Sequence, residues 1–110
     1  MQWLHLVSWF FGGAFVANAV PHFVSGVMGR PFPSPFAKPP GRGLSSPSVN
    51  VLWGLFNFVA AYGLLCRVGA FDMRVTADAA AVGLGVLVLA LFSAWQFGRP
   101  NGDAVPGRRH

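Results

Sequence analysis

Polar side chains recur on one face of the first apolar stretch of the chain, where a ligand or a neighbouring helix could bind them. At about 100° per residue, Asn18, His22 and Ser25 fall within about 60° of one another on a helical wheel. A histidine there can hydrogen-bond, transfer a proton, or ligate a metal or haem. Because an unpaired polar group is costly in apolar surroundings, each of the three is a candidate for function or for a helix contact.

A second apolar stretch repeats this arrangement at steps of four, three and four residues. Its members are Asn50, Gly54, Asn57 and Ala61, with Trp53 beside them. We expect the two faces to meet, with Asn57 hydrogen-bonded to Asn18 or His22 across a close helix contact that the small residues Gly54 and Ala61 allow. The candidate site is therefore Asn18, His22, Ser25, Trp53 and Asn57, with Gly54 and Ala61 as packing positions.

His22 admits two interpretations. The first is a neutral imidazole whose hydrogen bonds are satisfied by Asn18, Asn57 or a backbone carbonyl, next to a kink at Pro21. The second is a haem ligand or a proton-relay group. His5 lies 17 positions away, roughly 25 Å along a straight helix, so the two histidines of one chain cannot share a metal. No metal site is predicted within the chain, and the sequence leaves any cofactor unknown.

The sequence lacks the motifs of common enzyme classes. CxxC, HExxH, GxSxG, GxGxxG and Walker-type loops are all absent. The three acids, Asp72, Asp78 and Asp103, lie outside the apolar cores, which excludes paired-carboxylate catalysis there. Cys66 is the single cysteine and is interpreted as a packing residue. We therefore predict that the protein is not an enzyme.

Composition indicates the setting of these residues. Of 110 residues, 54% are hydrophobic and 10% are charged, against about 25% charged in an average soluble domain. Three stretches without formal charge are each long enough to cross a bilayer, which takes about 20 residues. We predict an all-α integral membrane protein, one domain over residues 1–110. The predicted segments are spans at about 3–28, 50–69 and 76–97, a proline-rich extended loop over 30–49, and a polar basic tail over 98–110.

A soluble helix bundle and a cleaved signal peptide are the alternatives to three spans. A soluble helix bundle needs a polar face on each helix, and the run 82–92 is apolar all round. A cleaved signal peptide is suggested by the small-x-small pattern at Ala17-Asn18-Ala19, and cleavage after Ala19 would leave two spans. No Lys or Arg precedes the first apolar run, and the run continues to Met28, which favours a retained span.

The first loop holds six of the nine prolines. Alternate prolines at 31, 33 and 35 predict an extended chain through which no helix or sheet ladder runs. Ser46 followed by Pro47 forms a good helix start, so the second span could begin in the interface at Pro47. The loop is interpreted as a stiff connector lying on the membrane, a docking segment for a partner, or a lid over a site between the helices.

Charge predicts an orientation. The first loop and the tail carry six basic residues, at positions 30, 38, 42, 99, 108 and 109. The opposite side has Arg67 and Arg74, offset by Asp72 and Asp78. The positive-inside rule then places the loop and the C-terminus in the cytoplasm and the N-terminus outside, as in a bacterial inner membrane. Nucleic acid is not an expected partner, since the basic residues are scattered around apolar spans.

Two functions are kept open. The first is a structural or accessory subunit that packs with itself or within a larger membrane complex, since so small a bundle has little interior for its polar groups. The alternative is a binding protein for a small amphipathic ligand (a quinone, pigment, haem or lipid) in a pocket around Asn18, His22 and Asn57. A transporter is less favoured, because the chain is too short for inverted repeats unless it oligomerises.

Overall fold

The computed structural model describes the backbone of residues 2–101 and the side chains of residues 2–98. It contains three long helices: α1 (Gln2–Val27), α2 (Pro47–Cys66) and α3 (Thr76–Asn101). Each is long and apolar enough to cross a membrane, which confirms the prediction of three such helices. α1 continues without interruption through Pro21.

The bounds of α2 differ from the predicted span by three residues at each end. Ser46 is the N-cap, and its Oγ accepts the backbone N–H of Val49 (3.2 Å). Pro47 follows at the first helical position, where its missing N–H costs nothing. At the other end Arg67 is the C-cap, and its backbone N–H donates to the carbonyl of Gly63 (3.1 Å). α2 therefore begins at Pro47 and ends at Cys66.

The third helix is longer than its predicted span. α3 continues to Asn101, so the first residues of the expected tail are helical. Residues 102–110, which include Arg108 and Arg109, lie outside the described part of the chain.

The proline-rich loop folds on itself. Strand β1 (Phe32–Pro33) pairs antiparallel with β2 (Leu44–Ser45), and the Oγ atoms of Ser34 and Ser45 lie 2.6 Å apart. The expectation that no sheet ladder enters this loop is therefore wrong at these four strand residues. An antiparallel pair alternates bonded and non-bonded positions, so a proline is accepted where no N–H is required.

α1 lies between the other two helices. α2 and α3 each pack along α1 and make few contacts with each other. Glycines allow the close approach: a methyl group at Gly54 of α2 would lie 2.8 Å from the backbone nitrogen of Phe23, and one at Gly85 of α3 would overlap the carbonyl oxygen of Phe10. The result is a cleft between α2 and α3 whose floor is α1.

The outward faces of the helices are apolar. Large side chains that extend away from the bundle are half or more exposed, among them Leu52, Leu55 and Val59 on α2 and Leu84, Leu87 and Leu91 on α3. Surfaces of this kind are solvated by lipid acyl chains, and the few buried polar groups face the helix contacts instead.

Candidate functional site

The expected polar contact between α1 and α2 is present. Nδ2 of Asn18 donates to Oδ1 of Asn57 at 3.0 Å, and Nδ2 of Asn57 donates to the carbonyl of Trp53 at 2.8 Å. Asn57 is fully buried, and Ala61 lies one turn further along the same contact with 2% of its surface exposed. The small residues let the helices approach closely enough for these bonds to form.

His22 has a different partner from those expected. Its Nδ1 lies 2.8 Å from Oδ1 of Asn50, not against Asn18, Asn57 or a backbone carbonyl. The physical reason is the earlier start of α2. Because the helix begins at Pro47, Asn50 lies within its first turn and faces α1 at the level of His22.

Asn50 joins four parts of the molecule. Besides facing His22, its Nδ2 donates to the carbonyls of Phe32 (3.0 Å), Ser45 (3.2 Å) and Ser46 (3.2 Å). One fully buried amide therefore ties α1, both ends of the loop and the start of α2 together. It holds the loop over the cleft.

Aromatic rings surround His22. The centroids of Phe32, Phe97 and Trp53 lie 5.3, 6.2 and 6.4 Å from that of the imidazole, each nearly perpendicular to it. The loop, α3 and α2 contribute one ring each. Only 2% of the His22 surface is exposed, so the ring occupies one orientation.

Two cavities follow the cleft between α2 and α3. The first, here called the loop-side cavity, measures about 290 Å³ and is bounded by Asn18, His22, Trp53, Ser34 and Gln96 among others. The loop forms its roof, and Nε2 of Gln96 donates to the carbonyl of Gly41 at 3.4 Å.

The second cavity, here called the mid-helix cavity, measures about 370 Å³ and is mainly apolar. Phe11, Phe15 and Val88 contribute to its walls, and Asn18 and Asn57 supply its polar edge. Because Asn18 lines both cavities, they adjoin at that residue. Both cavities are mainly apolar, and Asn18 contributes a polar group to each.

Two residues that line the loop-side cavity, His22 and Trp53, each have a ring nitrogen without a partner among residues 2–98. Nε1 of Trp53 is buried and has no hydrogen-bond partner among residues 2–98. Nε2 of His22 likewise makes no hydrogen bond within that part of the chain, since the only bond of the ring is through Nδ1. Of the two, only Nε1 of Trp53 is a fully buried unpaired atom within the described residues, and such atoms are unusual because buried polar groups are nearly always bonded.

The remaining predicted residues lie elsewhere. Ser25 is half-buried on α1, lines neither cavity, and accepts the backbone N–H of Arg30 through its carbonyl (2.8 Å). His5 lies near the opposite end of α1, with its ring centroid 5.7 Å from that of Trp9. In the described part of the chain, no three His, Cys, Asp or Glu side chains are placed to hold a metal ion.

Three residues of the site were not among the predicted site residues: Asn50, Ser34 and Gln96. The sequence analysis placed Asn50 on the correct helix face but did not predict its contact with the loop. The signal that could have indicated this contact was its position in the first turn of α2, just after Ser46 and Pro47. Ser34 and Gln96 carried no periodic signal, because one lies in an irregular segment and the other near the end of a span.

No family model, curated protein or solved structure matches this chain.

Proposed function

We propose that this protein binds a small amphipathic molecule in the cleft between α2 and α3. The observation that supports this most strongly is the loop-side cavity, which is lined by His22, a residue whose Nε2 has no hydrogen-bond partner among residues 2–98. A bound head group would supply that partner.

The adjoining mid-helix cavity suits the apolar part of such a ligand. Its aromatic and aliphatic walls, among them Phe11, Phe15 and Leu89, would pack against a hydrocarbon chain or ring. Each cavity lies near the lower end of the range of ligand pockets, about 300–1,000 Å³. A loop-side cavity of about 290 Å³ is too small to enclose a haem macrocycle, which favours a slimmer ligand such as a quinone-like or lipid-like molecule.

The loop acts as a roof over this site. Asn50 ties its two ends to the bundle, and Ser34 bonds to Ser45 across its strands. A roof fixed at both ends shields one side of the head group from water, which strengthens hydrogen bonds made there. This favours the lid interpretation of the loop over a connector lying free on the membrane.

A second candidate is the structural or accessory subunit. An apolar recess of about 630 Å³ lies on the outer side of α2 against the loop, between Phe36, Val49, Leu52, Trp53 and Phe56. An apolar side chain of a partner or of a second copy would fit there. The polar residues that favoured assembly have partners inside one chain, so this function now depends on apolar surfaces alone.

The proposed orientation follows from charge. Arg30, Lys38 and Arg42 are exposed at the loop end of the bundle, and no Asp or Glu occurs in the sequence before Asp72. At the opposite end Asp72 and Asp78 offset the basic residues. The positive-inside rule places the loop end in the cytoplasm, and we propose a bacterial inner membrane as the location.

Co-purification tests the binding function. Val88→Phe and Gln96→Trp together would fill both cavities, whereas Leu91→Phe adds a ring on the lipid-facing side of the same helix, where Leu91 is 63% exposed. Mass spectrometry of solvent extracts should find one amphiphile at near-stoichiometric level with wild type and Leu91→Phe, reduced at least tenfold in the double variant. Equal small-molecule content in all three proteins would contradict the proposal.

A further inference from the structure

We infer that the head group bound in the loop-side cavity donates a hydrogen bond to Nε2 of His22, and that a hydroxyl, as in a phenol or hydroquinone, is the group that fits. This inference rests on the proposed function and adds the chemical class of its ligand. It follows from the proton positions that the surrounding hydrogen bonds impose.

The first step is the orientation of the Asn50 amide. Its nitrogen faces the carbonyl oxygens of Phe32, Ser45 and Ser46, which can only accept hydrogen bonds. Rotating the amide by 180° would direct Oδ1 at three other oxygens. The network therefore assigns the NH₂ group to the carbonyls and Oδ1 to His22.

The second step is the tautomer of His22. Oδ1 of Asn50 is an acceptor, so Nδ1 of His22 at 2.8 Å must carry the hydrogen. A neutral ring then has a lone pair at Nε2. A doubly protonated ring would place a charged donor without a partner in an aromatic cage, which is costly. His22 therefore offers an acceptor to the loop-side cavity.

The third step is the group that this acceptor requires. Nε2 of His22 has no hydrogen-bond partner among residues 2–98, and His22 lines the loop-side cavity. A hydroxyl can donate a hydrogen bond to Nε2, whereas a carbonyl or an ether oxygen only accepts. The site thus selects an alcohol-type head group over a quinone.

Nitrogen NMR on detergent-solubilised protein labelled with ¹⁵N-histidine tests the tautomer first. His5→Gln and His110→Gln leave His22 as the only labelled histidine. The expected spectrum has a protonated, pyrrole-type Nδ1 and an unprotonated, pyridine-type Nε2. A pyridine-type Nδ1 would overturn the inference before any ligand is added.

A matched pair of probes then tests the head group. 4-Pentylphenol should bind at least tenfold more tightly than 4-pentylanisole, its methyl ether, and only the phenol should shift the Nε2 signal. His22→Phe keeps an aromatic ring and should reduce phenol affinity to that of the anisole. If both probes bind equally, the inference fails and the cleft as a binding site stands. If neither perturbs His22, the inference also fails, and co-purification alone decides the proposed function.

Discussion

The two faces of α1 are built differently. Toward α2, side-chain hydrogen bonds occur along its length, from Ser8 to the carbonyl of Leu64 (2.8 Å) through the Asn18–Asn57 pair to His22 and Asn50. Toward α3, the contact depends on two glycines, since methyl groups at Gly13 and Gly85 would overlap the backbone of the facing helix.

This difference bears on how the bundle is specified in a membrane. Lipid is as apolar as the helix surfaces, so burial alone does not select a helix pair, and close packing and hydrogen bonds must do so. Directional bonds fix the register of α2 on α1. Glycine contacts allow close approach on both sides of α1, but among residues 2–98 no side-chain hydrogen bond joins α3 to α1.

The largest expected effect concerns the close contact of α3 with α1 at Gly85. Gly85→Ala should lower the free energy of unfolding by about 3 kcal/mol, because the new methyl group overlaps the carbonyl of Phe10 and the helices must separate. Titration with SDS, followed by circular dichroism, measures this. Gly83→Ala is the matched control, since nothing lies within 4 Å of a methyl group there. Equal destabilisation by both variants would contradict the close contact.

The next effect concerns the loop. Asn50→Ala should cost about 2 kcal/mol, since it removes the partner of His22 and the donor to three carbonyls. It should also speed trypsin cleavage after Arg42, the one basic residue of the loop that no proline follows. Leu52→Ala, which truncates an exposed side chain of the same helix, should leave the cleavage rate unchanged. An unaltered rate in Asn50→Ala would show that the amide does not hold the roof.

The smallest expected effect concerns the Asn18–Asn57 hydrogen bond between α1 and α2. Asn18→Ala and Asn57→Ala should each lower the free energy of unfolding by about 1 kcal/mol, with the larger loss at Asn57, which also donates to the carbonyl of Trp53. A double-mutant cycle should give a coupling energy of about 0.6 kcal/mol. A coupling of zero would mean that this bond adds nothing to the α1–α2 contact.

Helical periodicity allowed much of this arrangement to be predicted. The steps of four, three and four from Asn50 to Ala61 identified the face of α2 that is buried, and the Asn18–Asn57 bond was expected from it. Periodicity gives the direction of a side chain around its helix but not its height against the next one. Of the predicted partners of His22, Asn57 therefore lies about two helical turns from the actual partner, Asn50.

The fold of the loop and the rotation of α3 could not be predicted from the sequence. The fold of the loop depends on bonds to Asn50, which is far from Phe32 in sequence, so local proline content could not reveal it. Gly83 and Gly85 lie two residues apart in the same apolar run, so the sequence does not distinguish them. Of the two, only Gly85 contacts α1. Which glycine faces α1 depends on how α3 is rotated about its own axis. Because the helix is almost uniformly apolar, its sequence does not indicate that rotation.

Three crossings of the membrane are the claim on which the site depends, and labelling of single cysteines tests it most directly. In a Cys66→Ser background, Lys38→Cys reports on the loop and Met73→Cys on the segment between α2 and α3; both positions are exposed. An impermeant maleimide added outside intact cells should label only Met73→Cys, and should reach Lys38→Cys once the membrane is permeabilised. Labelling of both from the same side would contradict the crossing of α2, and with it the cleft as described.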